Sequence, residues 1–314
     1  MRPEGVRDTL SSLARRAIRA PAPRPGQPSA MATIERSARL LVVGLVVAVI
    51  VLWLFVIWTG KFGPFLGDVD AYWNAALRLR AGEPLYPKFP RDTSAEVFRY
   101  SPWFAYAWIP LTLLPRAAVD AAWFIALVLG SGYSIRHLVN REGILVAALL
   151  GTTLSMAVQA GNVHPLVIAV LMATIGTRAA PLGIALAASL KAFPILFVLV
   201  FLGRREWRRA LETVALTALL ISPLVLHDLG NYTVDPERTL SLFAVNPVLW
   251  ALIALATIAA AIWLARSPFS WLAAGIAVIA SLPRVILYDF SYLLIGTRST
   301  TVGDHLAPRP PLER

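Results

Sequence analysis

Residues 40–58 read LLVVGLVVAVIVLWLFVIW and include no charged side chain. A run of this length crosses the roughly 30 Å hydrocarbon core of a bilayer as one α-helix. The rest of the chain has a similar composition, because 57% of its 314 residues are hydrophobic and only 15% are charged. Soluble domains carry about 25% charged residues. The sequence therefore predicts an all-α polytopic membrane protein.

Further apolar segments follow the first one along the chain. Together with residues 40–58 they predict about eight to ten transmembrane helices. The first of them is short, and we expect it to be re-entrant or half-inserted. The segments lie at 102–115, 117–135, 142–158, 163–177, 180–202, 210–226, 247–265 and 269–296.

Two of these segments are interrupted by charge. Residues 180–202 contain Lys191 and Pro194 near their middle, and the last segment is interrupted in the same way around Arg284. A lysine that faces lipid costs about 3 kcal/mol on insertion scales. We therefore expect the helix to break between the lysine and the proline, which places Lys191 in a protein-lined cavity.

The distribution of arginine sets the predicted topology. Residues 1–38, rich in Arg, Pro, Ser and Ala, predict a disordered basic cytoplasmic tail, unless translation starts at Met31. The arginines near residues 136–141 and 204–209 should also face the cytoplasm, so the first polar loop lies on the outer face of the plasma membrane. The predicted domains are a tail at 1–38, a transmembrane domain at 39–296 with its first outer loop at 59–101, and a polar tail at 297–314.

The composition also excludes several classes of chemistry. The chain has no cysteine, which rules out disulfides, metal–thiolate sites and a cysteine nucleophile. Its net charge of +11 comes largely from the tail and the loops, and no basic patch with interleaved aromatic residues indicates a nucleic-acid surface. We therefore expect membrane lipids, and no nucleic acid, among its partners.

The first outer loop contains a short amphipathic helix that begins with two carboxylates. Residues 67–73 read Gly-Asp-Val-Asp-Ala-Tyr-Trp, with apolar positions at helical spacing, and Gly82 stops the helix. Such a helix lies along a membrane interface. Asp68 is then either an N-cap, which accepts a backbone N–H bond, or a catalytic carboxylate at the membrane surface.

Asp68 and Asp70 also form an Asp-x-Asp pair, a pattern that holds a divalent cation in some enzymes. Side chains two positions apart on a helix point in different directions, so we expect no metal ion or other cofactor. His164 is a further candidate ligand or base, although a lone interfacial histidine more often serves in hydrogen bonding.

Few polar residues interrupt the apolar segments, and on the predicted topology most of them lie at the outer ends of helices. This convergence predicts a site, whereas the alternative is a set of scattered helix-end polar groups. A carboxylate accepts a proton from an attacking sugar hydroxyl, and a lysine or arginine neutralises a departing phosphate. The candidates are Asp68, Asp70, Gln159, Asn162, His164, Lys191, His227, Asp228, Arg284, Tyr288 and Asp289.

Five motifs, in the same order, resemble those of glycosyltransferase family 87. They are spread over most of residues 40–296. In the last motif relatives pair a histidine with the aspartate, where this chain has Arg284, Tyr288 and Asp289. The motifs are Asp68-x-x-x-Tyr72 with Leu85-Tyr86, Arg99-Tyr100-Ser101-Pro102 with Leu114-Pro115, Gln159-Ala160-Gly161-Asn162, Leu190-Lys191-Ala192-Phe193-Pro194 with Arg204-Arg205-Glu206-Trp207-Arg208, and the stretch from Pro283 to Tyr292.

The resemblance implies a GT-C fold in a short family member. It also implies inverting transfer of a sugar, usually mannose, from a polyprenyl-phosphate donor to a lipid or glycan acceptor on the outer face. Asp68 would be the base that deprotonates the acceptor hydroxyl, and Lys191 and Arg284 would hold the donor phosphate. The residues expected to contact substrate are Asp70, Tyr72, Tyr100, Gln159, Asn162, His164, Tyr288 and Asp289.

Two other functions also fit the sequence. The interrupted 180–202 segment resembles a discontinuous transport helix, so a transporter or lipid-binding protein without transfer chemistry is one alternative. An inactive family member that serves as a partner subunit is the other. Sugar found in a lipid or glycan product favours the transferase, whereas uptake without product favours the transporter.

Overall fold

The computed structural model describes residues 65–87, 97–138, 144–229 and 242–297. Within these ranges every regular element is a helix, so the predicted all-α fold class is confirmed. The predicted basic tail, the first apolar run and the residues after 297 lie outside the described part.

The α-helices of the described part are numbered here in chain order. Short 3-10 helices extend or connect several of them, at Ile109–Leu113, Arg136–Leu138, Phe193–Phe197, Ser222–Leu226, Leu264–Arg266 and Leu287–Leu293. The α-helices are α1 (Gly67–Ala81), α2 (Pro102–Trp108), α3 (Arg116–Ile135), α4 (Ile144–Ala160), α5 (His164–Thr174), α6 (Ala180–Lys191), α7 (Val198–Arg204), α8 (Trp207–Ile221), α9 (Leu242–Val245), α10 (Pro247–Trp263), α11 (Ser270–Ser281) and α12 (Leu294–Thr297).

Three helical stretches of the described part are long and apolar enough to cross a membrane, namely Arg116–Ile135, Trp207–Leu226 and Pro247–Arg266. Their outer surfaces are apolar, with Leu129 and Leu211 exposed by 67% and 70%. Such surfaces are stable in lipid, where helices satisfy their own backbone groups. The chain is therefore an all-α membrane protein. Five further apolar helices have 10–17 residues, and the span count of about eight to ten stays a prediction.

The first short apolar segment does not form a full span. It folds into α2, with seven residues, and a 3-10 helix of five residues at Ile109–Leu113. A helix of this size is about 20 Å long, which is less than the roughly 30 Å hydrocarbon core. This length is in keeping with the expected re-entrant or half-inserted segment.

The predicted break in residues 180–202 is confirmed. Helix α6 ends at Lys191, and Ala192 takes a positive φ of 46° before a 3-10 helix begins at Phe193. Pro194 provides the physical reason, because it has no N–H group and its ring clashes with the preceding helical turn. Two short helices therefore replace one span, and Lys191 lies at the junction.

The last apolar segment is also interrupted where charge was noted. Helix α11 ends at Ser281, and the chain is extended at Leu282 and Ile286 before the 3-10 helix Leu287–Leu293. The Ile286 N–H donates to Asp289 Oδ2 at 2.8 Å. This carboxylate therefore fixes the start of the 3-10 helix, in addition to any role in a site.

Helix α1 forms as predicted and ends at Gly82, whose φ is 72°. Its apolar face is covered by protein, since Val69, Tyr72 and Ala76 are 0% exposed. The N-cap interpretation of Asp68 is wrong, because the N-cap is Leu66 and no side chain bonds to the first turn. The carboxylate of Asp68 is directed to another partner.

Candidate active site

One cavity of about 700 Å³ gathers residues from distant parts of the sequence. The start of α1, the α4–α5 turn, the end of α6 and the segment after α11 each contribute polar side chains to it. Its predicted polar lining residues are Asp68, Tyr72, Tyr100, Asn162, Lys191, Arg284, Tyr288 and Asp289.

Asp68 is held by the α4–α5 turn. Asn162 Nδ2 donates to Asp68 Oδ2, and the same nitrogen lies 3.1 Å from the Tyr100 hydroxyl. The amide of Asn162 is oriented from behind, because its Oδ1 accepts the backbone N–H of His164 at 3.0 Å. The carboxylate therefore faces a fixed donor and a phenol at the wall of the cavity.

Close backbone contact brings this turn to α1. The Leu66 N–H donates to the Gln159 carbonyl at 2.7 Å. Gly161 has a φ of 75°, and a Cβ atom there would lie 2.9 Å from Leu66 Cα and from Val69 Cγ2. Only glycine fits this crowded, left-handed position, so Gly161 permits the approach that joins Asp68 to Asn162.

Tyr72 lines the cavity together with Asp68. Its hydroxyl donates to the Tyr100 hydroxyl and accepts the Val163 N–H, each at 3.1 Å. Its ring packs against Phe104 and Trp108 at centroid distances of 5.0 and 5.2 Å. The phenol is thus fully bonded inside an aromatic core, which makes this wall rigid.

The electrostatics of the cavity favour a basic carboxylate. Helix α1 lies outside the candidate membrane spans. Burial raises the pKa of the Asp68 carboxyl above its ordinary value, although the hydrogen bond from Asn162 and the charges of Lys191 and Arg284 lower it. A carboxylate with a raised pKa binds a proton more readily than a solvated aspartate does.

Cationic side chains also line the cavity. Lys191 Nζ lies 5.0 Å from the ring centroid of Tyr288 and 5.8 Å from that of Tyr100. Arg284 lines the same cavity, and Asp289 is only 6% exposed. Aromatic faces hold a desolvated ammonium by cation–π attraction, so Lys191 is positioned without a direct ion pair to Asp68 among the described contacts.

Comparison with known proteins finds one similar family. Residues 98–226 match the model of glycosyltransferase family 87. The resemblance drawn from the motifs is thereby supported. Over these residues the chain is similar to glycosyltransferase family 87. The segment is about two fifths of the 314 residues and includes Tyr100, Asn162 and Lys191. No curated protein and no solved structure matches the chain.

Three of the residues predicted to contact substrate do not line the cavity. Asp70 Oδ1 instead accepts a 2.7 Å hydrogen bond from Arg116 at the surface. The Gln159 side chain lies outside the lining, with its Oε1 buried and unbonded. His164 is 0% exposed and bonds to Ser291 behind the cavity. Position on the helix explains Asp70, because residues two apart on α1 point in different directions.

The hydrogen bonds of Asp68 and Asp70 also show whether this Asp-x-Asp pair faces a common metal ion. Asp68 is directed to Asn162 and Asp70 to Arg116, so the two carboxylates do not face one ion. Among the described residues, no group of three or more His, Cys, Asp or Glu side chains is placed to hold a metal.

Sequence reasoning missed part of the lining. Arg99 adds a third cation to the cavity, and Ser189 accepts the Trp103 indole N–H at 3.1 Å beside it. Arg99 is adjacent to Tyr100 in one of the motifs described above, so its place in the cavity could have been predicted from the sequence. The apolar wall could not be predicted in this way, because lipid-facing and cavity-facing apolar residues look alike in sequence. The apolar lining residues include Ile195, Ile221, Leu224, Leu229, Leu282 and Ile286.

Proposed function

We propose that the protein transfers a sugar, most simply mannose, from a polyprenyl-phosphate donor to a lipid or glycan acceptor on the outer face of the plasma membrane. One observation carries this proposal. A single cavity is lined by the Asp68 carboxylate, by the cations Lys191 and Arg284, and by apolar side chains. These three kinds of side chain suit an acceptor hydroxyl, a phosphate and a lipid chain.

The proposed reaction begins at Asp68. Its free carboxylate oxygen accepts the proton of the acceptor hydroxyl while that oxygen attacks the anomeric carbon of the sugar. The new C–O bond forms as the bond from the anomeric carbon to the phosphate oxygen breaks, with inversion. Asn162 keeps the carboxylate in place through its hydrogen bond to Oδ2. The proton ends on Asp68, and polyprenyl phosphate leaves.

The departing phosphate needs charge compensation and no general acid. Three cations, Lys191, Arg284 and Arg99, line the cavity with two carboxylates, so the lining has an excess of positive charge. Fixed cations in a site shielded from water stabilise developing negative charge. The proposed mechanism assigns this role to Lys191 and Arg284 and includes no metal ion. Asn162, Tyr72, Tyr100 and Tyr288 would contact the sugar.

The apolar wall supports a lipid-linked donor. Ile221 and Leu224 line the cavity at the end of α8 and in the 3-10 helix that follows. The neighbouring Val225 and Leu226 are 85% and 78% exposed. The wall thus continues into an exposed apolar surface, along which a polyprenyl chain can run from the phosphate into the bilayer.

Positive charge at the far end of α6 supports the proposed orientation. The Arg209 guanidinium donates to the Thr177 carbonyl, close to the start of α6 at Ala180. Lys191 lies at the other end of this 12-residue helix, about 18 Å away. If the arginines face the cytoplasm, as the positive-inside rule expects, the cavity faces the outside.

The family match favours a transferase over the transporter interpretation. The broken helix, which suggested transport, is accounted for by the placement of Lys191 in the cavity. An inactive family member would share the fold and the cavity, and only an activity measurement separates it from an active enzyme.

The proposal is tested with purified protein, radiolabelled polyprenyl-phosphate mannose and extracted membrane acceptors. The Asp68→Asn variant keeps the hydrogen-bond acceptor for Asn162 but has no base, so we expect product formation to fall by about 10²–10⁴-fold. Asp70→Asn is the matched control, because Asp70 lies on the same helix outside the cavity. Equal transfer by Asp68→Asn and the wild-type protein would remove the assignment.

A further inference from the structure

His164 is a buried ionisable residue that the proposed chemistry does not use. It is 0% exposed, and its Nε2 lies 2.8 Å from Ser291 Oγ, 127 positions away in the chain. Its ring packs against Tyr288 and Tyr292, each at a centroid distance of 4.9 Å. A buried polar contact held between two rings has one geometry, and losing either partner leaves the other unbonded.

This contact joins the α4–α5 turn to the 3-10 helix Leu287–Leu293, and both elements contribute side chains to the cavity. On one side, the backbone N–H of His164 donates to Asn162 Oδ1 and so orients the amide that holds Asp68. On the other side, Ser291 belongs to the 3-10 helix Leu287–Leu293, which also carries Asp289. Asn162 Nδ2 also lies 3.5 Å from the Tyr288 hydroxyl, which is a longer polar contact between the same two elements.

We infer that the His164–Ser291 hydrogen bond is a brace that fixes the separation between the α4–α5 turn, which orients Asp68, and the 3-10 helix, which carries Tyr288. This role rests on the proposed function, since the Tyr288 ring lies 5.0 Å from Nζ of Lys191, the proposed phosphate partner, and its position sets where Lys191 lies relative to Asp68. His164 and Ser291 are positioning residues, and neither lines the cavity. A displacement of about 1 Å between reacting groups lowers a rate by roughly 10²-fold.

The brace is tested without any substrate by distance measurement. The chain has no cysteine, so spin labels attach only where cysteine is introduced. Leu77→Cys on α1 and Phe290→Cys on the 3-10 helix are suitable sites, because these side chains are 38% and 40% exposed. Double electron–electron resonance should show a broader or shifted distance distribution when Ser291→Ala is added. An unchanged distribution would overturn the inference.

Ser281→Ala is the matched control for both this test and the kinetic one. Ser281 is also a buried serine close to the cavity, but its Oγ has no hydrogen-bond partner among the described residues. Its removal should leave the label distances of the wild-type protein unchanged.

The kinetic test separates positioning from a general loss of stability. For Ser291→Ala we expect kcat to fall by about 10²-fold with donor KM changed by less than about twofold, because phosphate and lipid contacts are intact. Ser281→Ala should keep wild-type values. Unchanged kcat in Ser291→Ala, or a change in KM alone, would contradict the brace. If the wild-type protein forms no product, the proposed function fails, while the label distances still test the brace.

Discussion

Asn162 fixes the orientation of the buried Asp68 carboxylate by a hydrogen bond. Its Oδ1 is occupied by a backbone N–H, so its Nδ2 is left to face Asp68. This hydrogen bond offsets only part of the unfavourable burial of the carboxylate, since desolvation is the largest influence on its pKa. The protein therefore keeps at this position a charge that does not favour folding, as expected of a functional group.

A pH-dependent stability follows for Asp68. Its folded-state pKa is raised above the unfolded-state value near 3.8, so folding favours the protonated form. The stabilising contribution is present below that value and is lost as pH rises through the folded-state pKa. The Asp68→Asn variant has no titrating group at this position, so it does not lose stability in this way. The difference between its melting temperature and that of wild type should therefore become more favourable to the variant from pH 3 to pH 8.

Thermal unfolding in detergent across this pH range checks the expectation. Asp70→Asn serves as control, because it removes a partly exposed ion pair with Arg116 and should cost at most about 1 kcal/mol. A melting-temperature difference between Asp68→Asn and wild type that shrinks as pH rises would show that the sign is wrong.

The hydrogen bonds of the Tyr72 hydroxyl lead to a second prediction for a single residue. Tyr72→Phe removes the hydroxyl that accepts the Val163 N–H and leaves that donor without its partner. An unbonded buried donor costs about 1–3 kcal/mol. The unfolding free energy should fall by that amount, whereas Tyr106→Phe, at a 47% exposed tyrosine, should change it little. Equal effects of the two substitutions would contradict the bonding scheme.

The elements that meet at the cavity do so through short, irregular segments. The α4–α5 turn carries Asn162, and the junction after α6 carries Lys191. Both junctions use positive φ angles, at Gly161 and Ala192. Irregular backbone at membrane depth is tolerated where it lines a cavity, so the turns that break the helices also place the polar groups.

The approach of the α4–α5 turn to α1 predicts the effect of a single methyl group. Gly161→Ala adds a Cβ atom 2.9 Å from Leu66 Cα, whereas Gly82→Ala, at a similar φ of 72°, meets nothing within 4 Å. In both variants an alanine at a positive φ destabilises the fold by about 1 kcal/mol, but only Gly161→Ala must also displace α1. We expect lower stability and lower transfer activity for Gly161→Ala than for Gly82→Ala. Identical unfolding curves would exclude the close contact.

Much of the molecule was predictable from sequence, for physical reasons that can be named. A lysine and a proline in the middle of one apolar segment fix the break at the end of α6, because neither is stable inside a lipid-facing helix. Asn162 was identified because polar residues are rare in such segments. Three features were not predictable. The pairing of Asp70 with Arg116, the burial of His164 and the apolar wall near Ile221 depend on how distant helices pack.

At the scale of the whole molecule, Asp68, Lys191 and Arg284 line one cavity, and the proposed division of roles between the carboxylate and the cations is the central claim. The most direct test is the dissociation constant of polyprenyl phosphate for three proteins, measured in detergent or nanodiscs. Lys191→Gln removes a charged phosphate partner and should raise this constant by about 10–100-fold relative to wild type. Asp68→Asn removes only the base and a nearby negative charge, so it should bind the phosphate at least as tightly as wild type. Wild-type affinity in Lys191→Gln, or a large loss in Asp68→Asn, would contradict the account.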